Sequence, residues 1–208
     1  LERLCRERPG NVVIISGRNR DKIRQIKAAV AAGLNVLADK PWIIRAEDLP
    51  LLDEVLVTAK TRRLVAFDIM TERFEVTSAI QRALANDTNV IGAILRGSPE
   101  RPAVEMESVH HILKTVAGAT NPRPPWFFDS DEQGEGLTDV ATHLVDLIQW
   151  TLFPEQALDF RQDVSVLSAS RWPTDLTRAQ LREVTGEAIL PEDLSARLVG
   201  DTLPYICN

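Results

Sequence analysis

The chain has 208 residues, 44% of them hydrophobic, with a net charge of −6 and a pI of about 5.2. This length and composition allow one or two domains with a buried core, and they argue against a disordered chain. The intermixed charges offer no basic surface for nucleic acid, and no apolar run is long enough to span a membrane. Cys5 and Cys207 lie at opposite ends, which argues against a disulfide framework and a thiolate metal site.

The first third of the chain alternates between strand patterns and helix patterns. The predicted elements are, in order, a helix end at 1–8, a strand at 11–16, a helix at 21–33, a strand at 35–39, a helix at 46–60 and a strand at 63–67. The run NVVIIS is β-branched and continuous, which is typical of a strand buried on both faces of a parallel sheet. The alternation predicts βαβ units and a parallel sheet covered by helices.

The rest of the chain has a different pattern. We predict, in order, a helix at 72–87, a strand at 89–97, a long loop at 121–136, a helix at 138–152, a strand at 163–170, and helical segments at 175–183 and 191–199. The loop is rich in proline, aromatic and acidic residues, as functional loops often are. Because the βα alternation ends near residues 68–72, we place a domain boundary there.

Lys40 directly follows the predicted strand 35–39. Open α/β sheets bind ligands outside the carboxyl ends of their parallel strands, and the segments 16–20 and 68–73 are predicted to lie at that same edge. A partly desolvated lysine in such a crevice can share a proton with a substrate oxygen. The alternative is an ordinary surface lysine in a strand-to-helix turn.

The predicted helix 138–152 carries a polar stripe within an arc of roughly 60°, formed by Asp139, His143, Asp146 and Trp150. Asp139 lies near the helix start, where the dipole stabilises a carboxylate, and His143 one turn later can hydrogen-bond to it. An aspartate that orients a proton-transferring histidine is a common catalytic arrangement. A solvated helix face with an incidental ion pair is the alternative.

Other kinds of site have less support in the sequence. A metal site built from His110, His111 and His143 is disfavoured, because adjacent histidines diverge in a helix or strand, and we expect no metal. No glycine pattern completes a dinucleotide or P-loop fingerprint. The aromatic residues at 126–128 could stack on a sugar ring, but anchoring of the long loop onto the core is favoured.

Several motifs carry a family resemblance. NVVIISGRNRDKIRQIKAAVAAGLNVLADKPW resembles the later strands of the nucleotide-binding domain in the glucose–fructose oxidoreductase, inositol dehydrogenase and MocA-like family (Gfo/Idh/MocA), with DKP where that family usually has EKP. GEGLTDVATHLVDLIQW is similar to the family's glycine-led D-x-x-x-H-x-x-D helix. DIMTER, SVHHILK, RPPWFFD and DTLPYICN are similar to a subgroup of oxidoreductases with a distinctive C-terminal domain.

The resemblance implies an α/β fold class. Residues 1–70 would form an incomplete Rossmann-type parallel sheet, the C-terminal part of a dinucleotide-binding domain. Residues 71–208 would form an α+β domain with a mainly antiparallel open sheet, which serves as a substrate site or an oligomer contact. Because the family's glycine turn and the rest of its second sheet have no counterpart here, we expect a fragment or truncated product of a protein about twice as long, unable alone to bind a dinucleotide tightly.

The resemblance also implies roles for individual residues. By motif match, Lys40 takes the position of the catalytic lysine, and Asp139 and His143 take the positions of the acid–base pair. The implied cofactor-binding residues lie at strand ends: Asn19, Asp39, Lys40 and Pro41. SGRN stands in place of the commoner TPNH, which changes the contacts expected for the nicotinamide ribose.

We therefore expect an oxidoreductase that uses NAD or NADP and transfers a hydride between the nicotinamide and a sugar, polyol or related hydroxyl compound. His143 would move the proton, Asp139 would orient it, and Lys40 would polarise the reacting oxygen. The alternatives are a non-catalytic remnant of the family and a cofactor-independent sugar isomerase or lyase. We further expect a homo-oligomer at full length, no nucleic-acid or membrane partner, and a cytoplasmic location, or a periplasmic one if a signal preceded Leu1.

Overall fold

The computed structural model describes residues 1–109 and 111–208. The first elements are α1 (Glu2–Glu7), β1 (Val12–Ile15), α2 (Lys22–Ala31), β2 (Asn35–Asp39), α3 (Leu49–Arg62) and β3 (Ala66–Ile69). The three strands form a parallel sheet in the order β1-β2-β3, with Val13 opposite Val36 and Leu37 opposite Phe67. The predicted βαβ units and parallel sheet are confirmed.

Helices α2 and α3 pack on one face of this sheet. Ile23 and Ile26 of α2 join Val13 and Ile15 of β1 in a single buried core. By contrast, the alternate side chains of β1 are open to solvent, and Ile14 is 66% exposed. The prediction that NVVIIS is buried on both faces is therefore wrong for the described residues, because both helices lie on the same side.

The later elements are α4 (Val76–Ala85), α5 (Thr88–Ile91), β4 (Lys114–Val116), β5 (Ala119–Asn121), α6 (Gly136–Leu152), α7 (Phe160–Asp163), β6 (Pro173–Thr177), α8 (Arg178–Thr185), α9 (Glu192–Ser195) and β7 (Thr202–Ile206). Strands β4 and β5 pair in antiparallel fashion, as do β6 and β7. The predicted fold class is confirmed, since a parallel sheet is followed by antiparallel pairing among helices. The domain division at residues 70 and 71 stays a prediction.

Several predicted elements differ from the structure, including the helix predicted at 191–199, which covers only Glu192–Ser195. The strand predicted at 89–97 is wrong: Asp87 accepts a hydrogen bond from the Asn89 amide and begins the short helix α5. The strand predicted at 163–170 is absent from the described structure. The helix predicted at 175–183 begins later, because Thr177 and Gln180 form a capping box after strand β6.

A second core lies beneath the long loop. Phe127 and Phe128 are buried there with Tyr205, and both contacts of Phe128 with these rings are edge-to-face at 5.4 Å between centroids. These two phenylalanines therefore anchor the loop, as favoured from the sequence, while the guanidinium of Arg18 lies 5.0 Å from the ring of Trp126. Among the described residues, no helix is both long and apolar enough to cross a membrane.

Candidate active site

Lys40 and Asp139 meet where β2 ends and α6 begins. The ammonium of Lys40 lies 2.9 Å from Asp139 Oδ1 and also donates to the main-chain oxygen of Asp139 at 2.6 Å. Both side chains are largely buried, with 16% and 13% of their surfaces exposed. An ion pair with this little exposure is screened weakly by solvent, so its two charges act strongly on neighbouring groups. The structure thus brings together two of the predicted site residues.

His143 lies one turn further along α6 and faces a different carboxylate. Its Nδ1 is 2.6 Å from Oε2 of Glu72, although the two groups lack the alignment of a hydrogen bond. Within the described part of the chain, no ion pair joins Asp139 to His143, so the predicted hydrogen bond between them is wrong. Helical spacing puts Asp139 and His143 on one face of α6, but the carboxylate of Asp139 pairs with the ammonium of Lys40 instead.

Electrostatics favour the neutral form of His143. Burial of the imidazole lowers the pKa of His143, and repulsion by the Lys40 ammonium lowers this pKa further. The carboxylates of Glu72, Asp139 and Asp146 act in the opposite direction and only partly offset these effects. A neutral imidazole can accept a proton, so the surroundings suit His143 to the role of a general base.

The stripe continues to Asp146, which pairs with Arg73. Arg73 donates from Nε to Asp146 Oδ2 at 2.7 Å, and its Nη2 contacts the other carboxylate oxygen. This fork geometry is the strong form of an arginine–carboxylate pair, and the hydrogen bond to Asp146 raises the pKa of Arg73. Because the side chains of Asp139, His143 and Asp146 are largely buried beside charged partners from other elements, the alternative of a solvated face with an incidental ion pair is wrong.

Beyond Asp146, the same face of α6 borders a cavity of about 520 Å³. Its lining includes Arg73, Arg82, Asp146, Gln149 and Trp150. The guanidinium of Arg82 stacks over the indole of Trp150 at 4.5 Å from the ring centroid. An aromatic ring beside several hydrogen-bonding side chains is a surface that can hold a polyhydroxylated molecule.

The predicted cofactor-binding residues lie at the carboxyl ends of β1 and β2. Asn19 is buried, and both polar atoms of its side-chain amide form hydrogen bonds. Nδ2 donates to the main-chain oxygen of Gln133 at 2.8 Å, and Oδ1 accepts from Lys22 at 2.6 Å. The main-chain oxygen of Asp39 accepts from the same lysine at 3.0 Å. Pro41 follows a cis peptide bond after Lys40.

Lys22 and Glu72 were missed by the sequence reasoning, although signals for both were present. Lys22 begins α2 on the same face as Ile23 and Ile26, which is an unusual place for a lysine in an amphipathic helix. Burial lowers the pKa of Lys22, and the charge of Asp39 opposes that effect. Glu72 belongs to the segment after β3, one of the three strand ends where ligand-facing residues were expected.

A metal centre finds no support in the part of the chain that the structure describes. Among residues 1–109 and 111–208, no group of three histidine, cysteine, aspartate or glutamate side chains is placed to hold a metal ion. Of the three histidines considered from the sequence, His110 lies outside the described residues.

Comparison with known proteins adds a family and a close structural relative. A family described as "Putative oxidoreductase C terminal domain" matches residues 80–208. The crystal structure of a "putative oxidoreductase" from Parabacteroides merdae is 43% identical, superposes with a TM-score of 0.90, and is matched over 100% of this chain and 47% of its own. A search of curated proteins finds no match.

More distant structures share the fold. GenD2 from gentamicin A biosynthesis, solved in complex with NAD, is 20% identical with a TM-score of 0.55, and the match covers 89% of this chain and 44% of GenD2. An oxidoreductase domain protein from Kribbella flavida is also 20% identical, with a TM-score of 0.52 and a match over 72% of this chain and 37% of its own. This chain thus spans about half, or less, of each of these three solved structures.

Proposed function

We propose that this chain, which belongs to the oxidoreductase family whose C-terminal domain is matched above, contributes the proton-transfer site of an NAD- or NADP-dependent dehydrogenase of the Gfo/Idh/MocA type. The substrate would be a sugar, polyol or related hydroxyl compound. The observation that carries the proposal is the convergence of Lys40, Asp139 and His143 at the carboxyl end of β2.

His143 is the proton acceptor in this proposal. Its surroundings favour the neutral ring, and the Glu72 carboxylate beside Nδ1 favours a proton on that nitrogen. Nε2 is then the atom that takes the proton of the substrate hydroxyl as the hydroxyl carbon is oxidised. In the reverse direction, the protonated imidazole returns that proton to the carbonyl oxygen.

Lys40 stabilises charge on the reacting oxygen. Its ammonium is held by the carboxylate and the main-chain oxygen of Asp139, which leaves one N–H to donate to a substrate oxygen. Asp139 therefore orients Lys40 rather than His143, a change from the role expected from the sequence. A fixed cation beside an oxygen that gains negative charge lowers the barrier without reorganisation of solvent.

The strand ends fit the nicotinamide end of a dinucleotide. The turn after β1 is exposed and borders solvent-filled space, since a Cβ added at Gly17 would meet no atom within 4 Å. Asp39, Lys40 and Pro41 would line this space from β2, while the engaged amide of Asn19 holds the loop in place. When bound, the cofactor exchanges the hydride with the substrate carbon.

The cavity beyond Asp146 supports a carbohydrate-like substrate. Trp150 offers an aromatic surface, and Gln149 with Arg73 offers hydrogen-bond donors near the proton-transfer residues. Sugars bind proteins through this combination of ring stacking and polar contacts to hydroxyl groups. The size of the cavity, about 520 Å³, also lies within the range of small-molecule sites.

In the deciding experiment, the natural full-length protein is incubated with NAD or NADP and a panel of sugars, polyols and sugar acids. Reduction of the nicotinamide is followed by absorbance. We expect one substrate class to reduce the cofactor and His143→Asn to abolish that reduction. Conversion of a sugar with no change in the nicotinamide would indicate an isomerase or lyase. Absence of both turnover and cofactor binding would indicate a non-catalytic remnant.

A further inference from the structure

Lys22 is a buried cation, with 1% of its surface exposed. Its ammonium donates to Asn19 Oδ1 at 2.6 Å and to the main-chain oxygen of Asp39 at 3.0 Å. Both accepting oxygens are uncharged, and the charge of the Asp39 carboxylate only partly offsets the effect of burial on Lys22. Burial of a charge without a close counter-ion is costly. An apolar side chain at this position would make the chain more stable than lysine does, so stability by itself does not account for the lysine.

The two hydrogen bonds of Lys22 lead to the two sides of the candidate site. Through Asp39, Lys22 holds the end of β2, and the next residue is Lys40. Through Asn19, Lys22 connects to the main chain of Gln133, in the segment that leads into α6.

The contact of Lys40 with Asp139, on the first turn of α6, completes a closed ring of polar contacts. The sheet edge and the segment that leads into α6 are thus joined by the Lys40–Asp139 and Asn19–Gln133 contacts, and also by Arg18 and Arg20, which contact Glu132. The two buried contacts adjoin the hydrogen-bond partners of Lys22, since Asn19 accepts from Lys22 directly and Lys40 follows Asp39 in the chain.

We infer that Lys22 is a positioning residue, which holds the end of β2 and the entry to α6 in the register that places Lys40 against Asp139 and beside His143. This inference rests on the proposed function for its catalytic meaning. Lys22 acts through Asp39 and Asn19 and touches no reacting atom in this scheme. Its loss would move Lys40 relative to α6 while the two hydrophobic cores remain packed.

The test uses His143 as a reporter of the Lys40 position. The charges that act on its imidazole are Lys40, which lowers the pKa of His143, and the opposing carboxylates of Glu72, Asp139 and Asp146. The imidazole signals of the 208-residue chain are followed by NMR against pH, with His143 assigned from the spectrum of His143→Asn. Lys22→Met should raise the His143 midpoint by about 0.3–1 pH unit, because Lys40 moves away.

Two further variants separate positioning from charge. Lys27→Met removes the same charge from an exposed position on α2 and should leave the midpoint unchanged. Asn19→Ala keeps the Lys22 charge but cuts the connection to Gln133, and it should raise the midpoint in the same direction as Lys22→Met. If Lys22→Met does not fold, the His143 midpoint of Asn19→Ala alone tests the inference.

The inference is overturned if folded Lys22→Met titrates like the parent chain. It is equally overturned if Asn19→Ala leaves the His143 midpoint unchanged, since the inference requires the connection through Asn19 as well as the one through Asp39. Because this titration requires neither substrate nor cofactor, its result is independent of the dehydrogenase assay. A chain without dehydrogenase activity would contradict the proposed function and leave the positioning result intact.

Discussion

Lys40 and Asp139 are 99 positions apart in the chain, yet the ammonium of one lies 2.9 Å from a carboxylate oxygen of the other. This pair joins the parallel sheet to the helix that carries His143. Since the pair is mostly buried, loss of either charge leaves the other without its partner in a weakly solvated place.

Lys40→Met should reduce turnover of the full-length enzyme by about 10²–10⁴-fold, because no cation then stabilises charge on the substrate oxygen. The same variant should raise the pKa of His143, since Lys40 repels its protonated form. Steady-state kinetics and NMR titration measure the two effects. Lys60→Met, an exposed lysine on α3, is the matched control and should change neither. Retention of most of the turnover in Lys40→Met would contradict the role given to this residue.

His143→Asn should lower turnover by about 10²–10⁴-fold while leaving the affinity for the nicotinamide nearly unchanged, because the residue moves a proton and holds no part of the cofactor in our proposal. Turnover rates and calorimetric titration with NADH separate the two quantities. A variant that keeps more than half of its turnover, or one that loses mainly cofactor affinity, would be incompatible with the assignment.

Glu72→Gln should shift the acid limb of the pH–rate profile to lower pH. The Glu72 carboxylate raises the pKa of His143 against the effect of burial, so its removal lowers this pKa, and the neutral imidazole persists in more acidic solution. Glu75→Gln, an exposed glutamate on the same segment, should leave the profile unchanged. A shift toward higher pH in Glu72→Gln would refute the electrostatic account of the site.

Stability should also depend on His143. Its pKa in the folded chain is lowered below the ordinary value of about 6.5, so the unfolded chain binds more protons as the pH falls through that value. The free energy of unfolding should therefore decrease between about pH 7 and pH 5, and His143→Asn should reduce this decrease. Urea unfolding at several pH values measures both slopes. Equal slopes in the two chains would show that His143 does not contribute.

Gly136→Ala should destabilise the chain by about 1–3 kcal/mol, as overpacking of a core does. A Cβ at this position would lie 2.7 Å from Tyr205, whose ring packs beneath the first turn of α6. Gly10→Ala is the control, since its Cβ would meet no atom within 4 Å. Thermal or urea unfolding measures the free energy of unfolding of the two variants. Equal values would mean that Tyr205 can move aside without loss of stability.

The elements of the parallel sheet could be predicted from local patterns. A β-branched run followed by a helical repeat specifies a strand and a helix wherever the chain folds, and the stripe on α6 was visible because 100° per residue is a property of the helix itself. The prediction of a strand at 89–97 was wrong for a local reason as well. Asp87 caps a helix that begins there, and this helix forms in place of the strand that the apolar run indicates.

The partners of the polar residues were decided only by the tertiary structure. A helical wheel gives the direction of Asp139 and His143 from the helix axis, but it does not say which other element lies in that direction. Packing brought Lys40 to Asp139 and Glu72 to His143, and it buried Lys22 against the end of β2. Charged side chains pair with whatever opposite charge or dipole folding brings within a few ångströms, and that proximity depends on the whole chain.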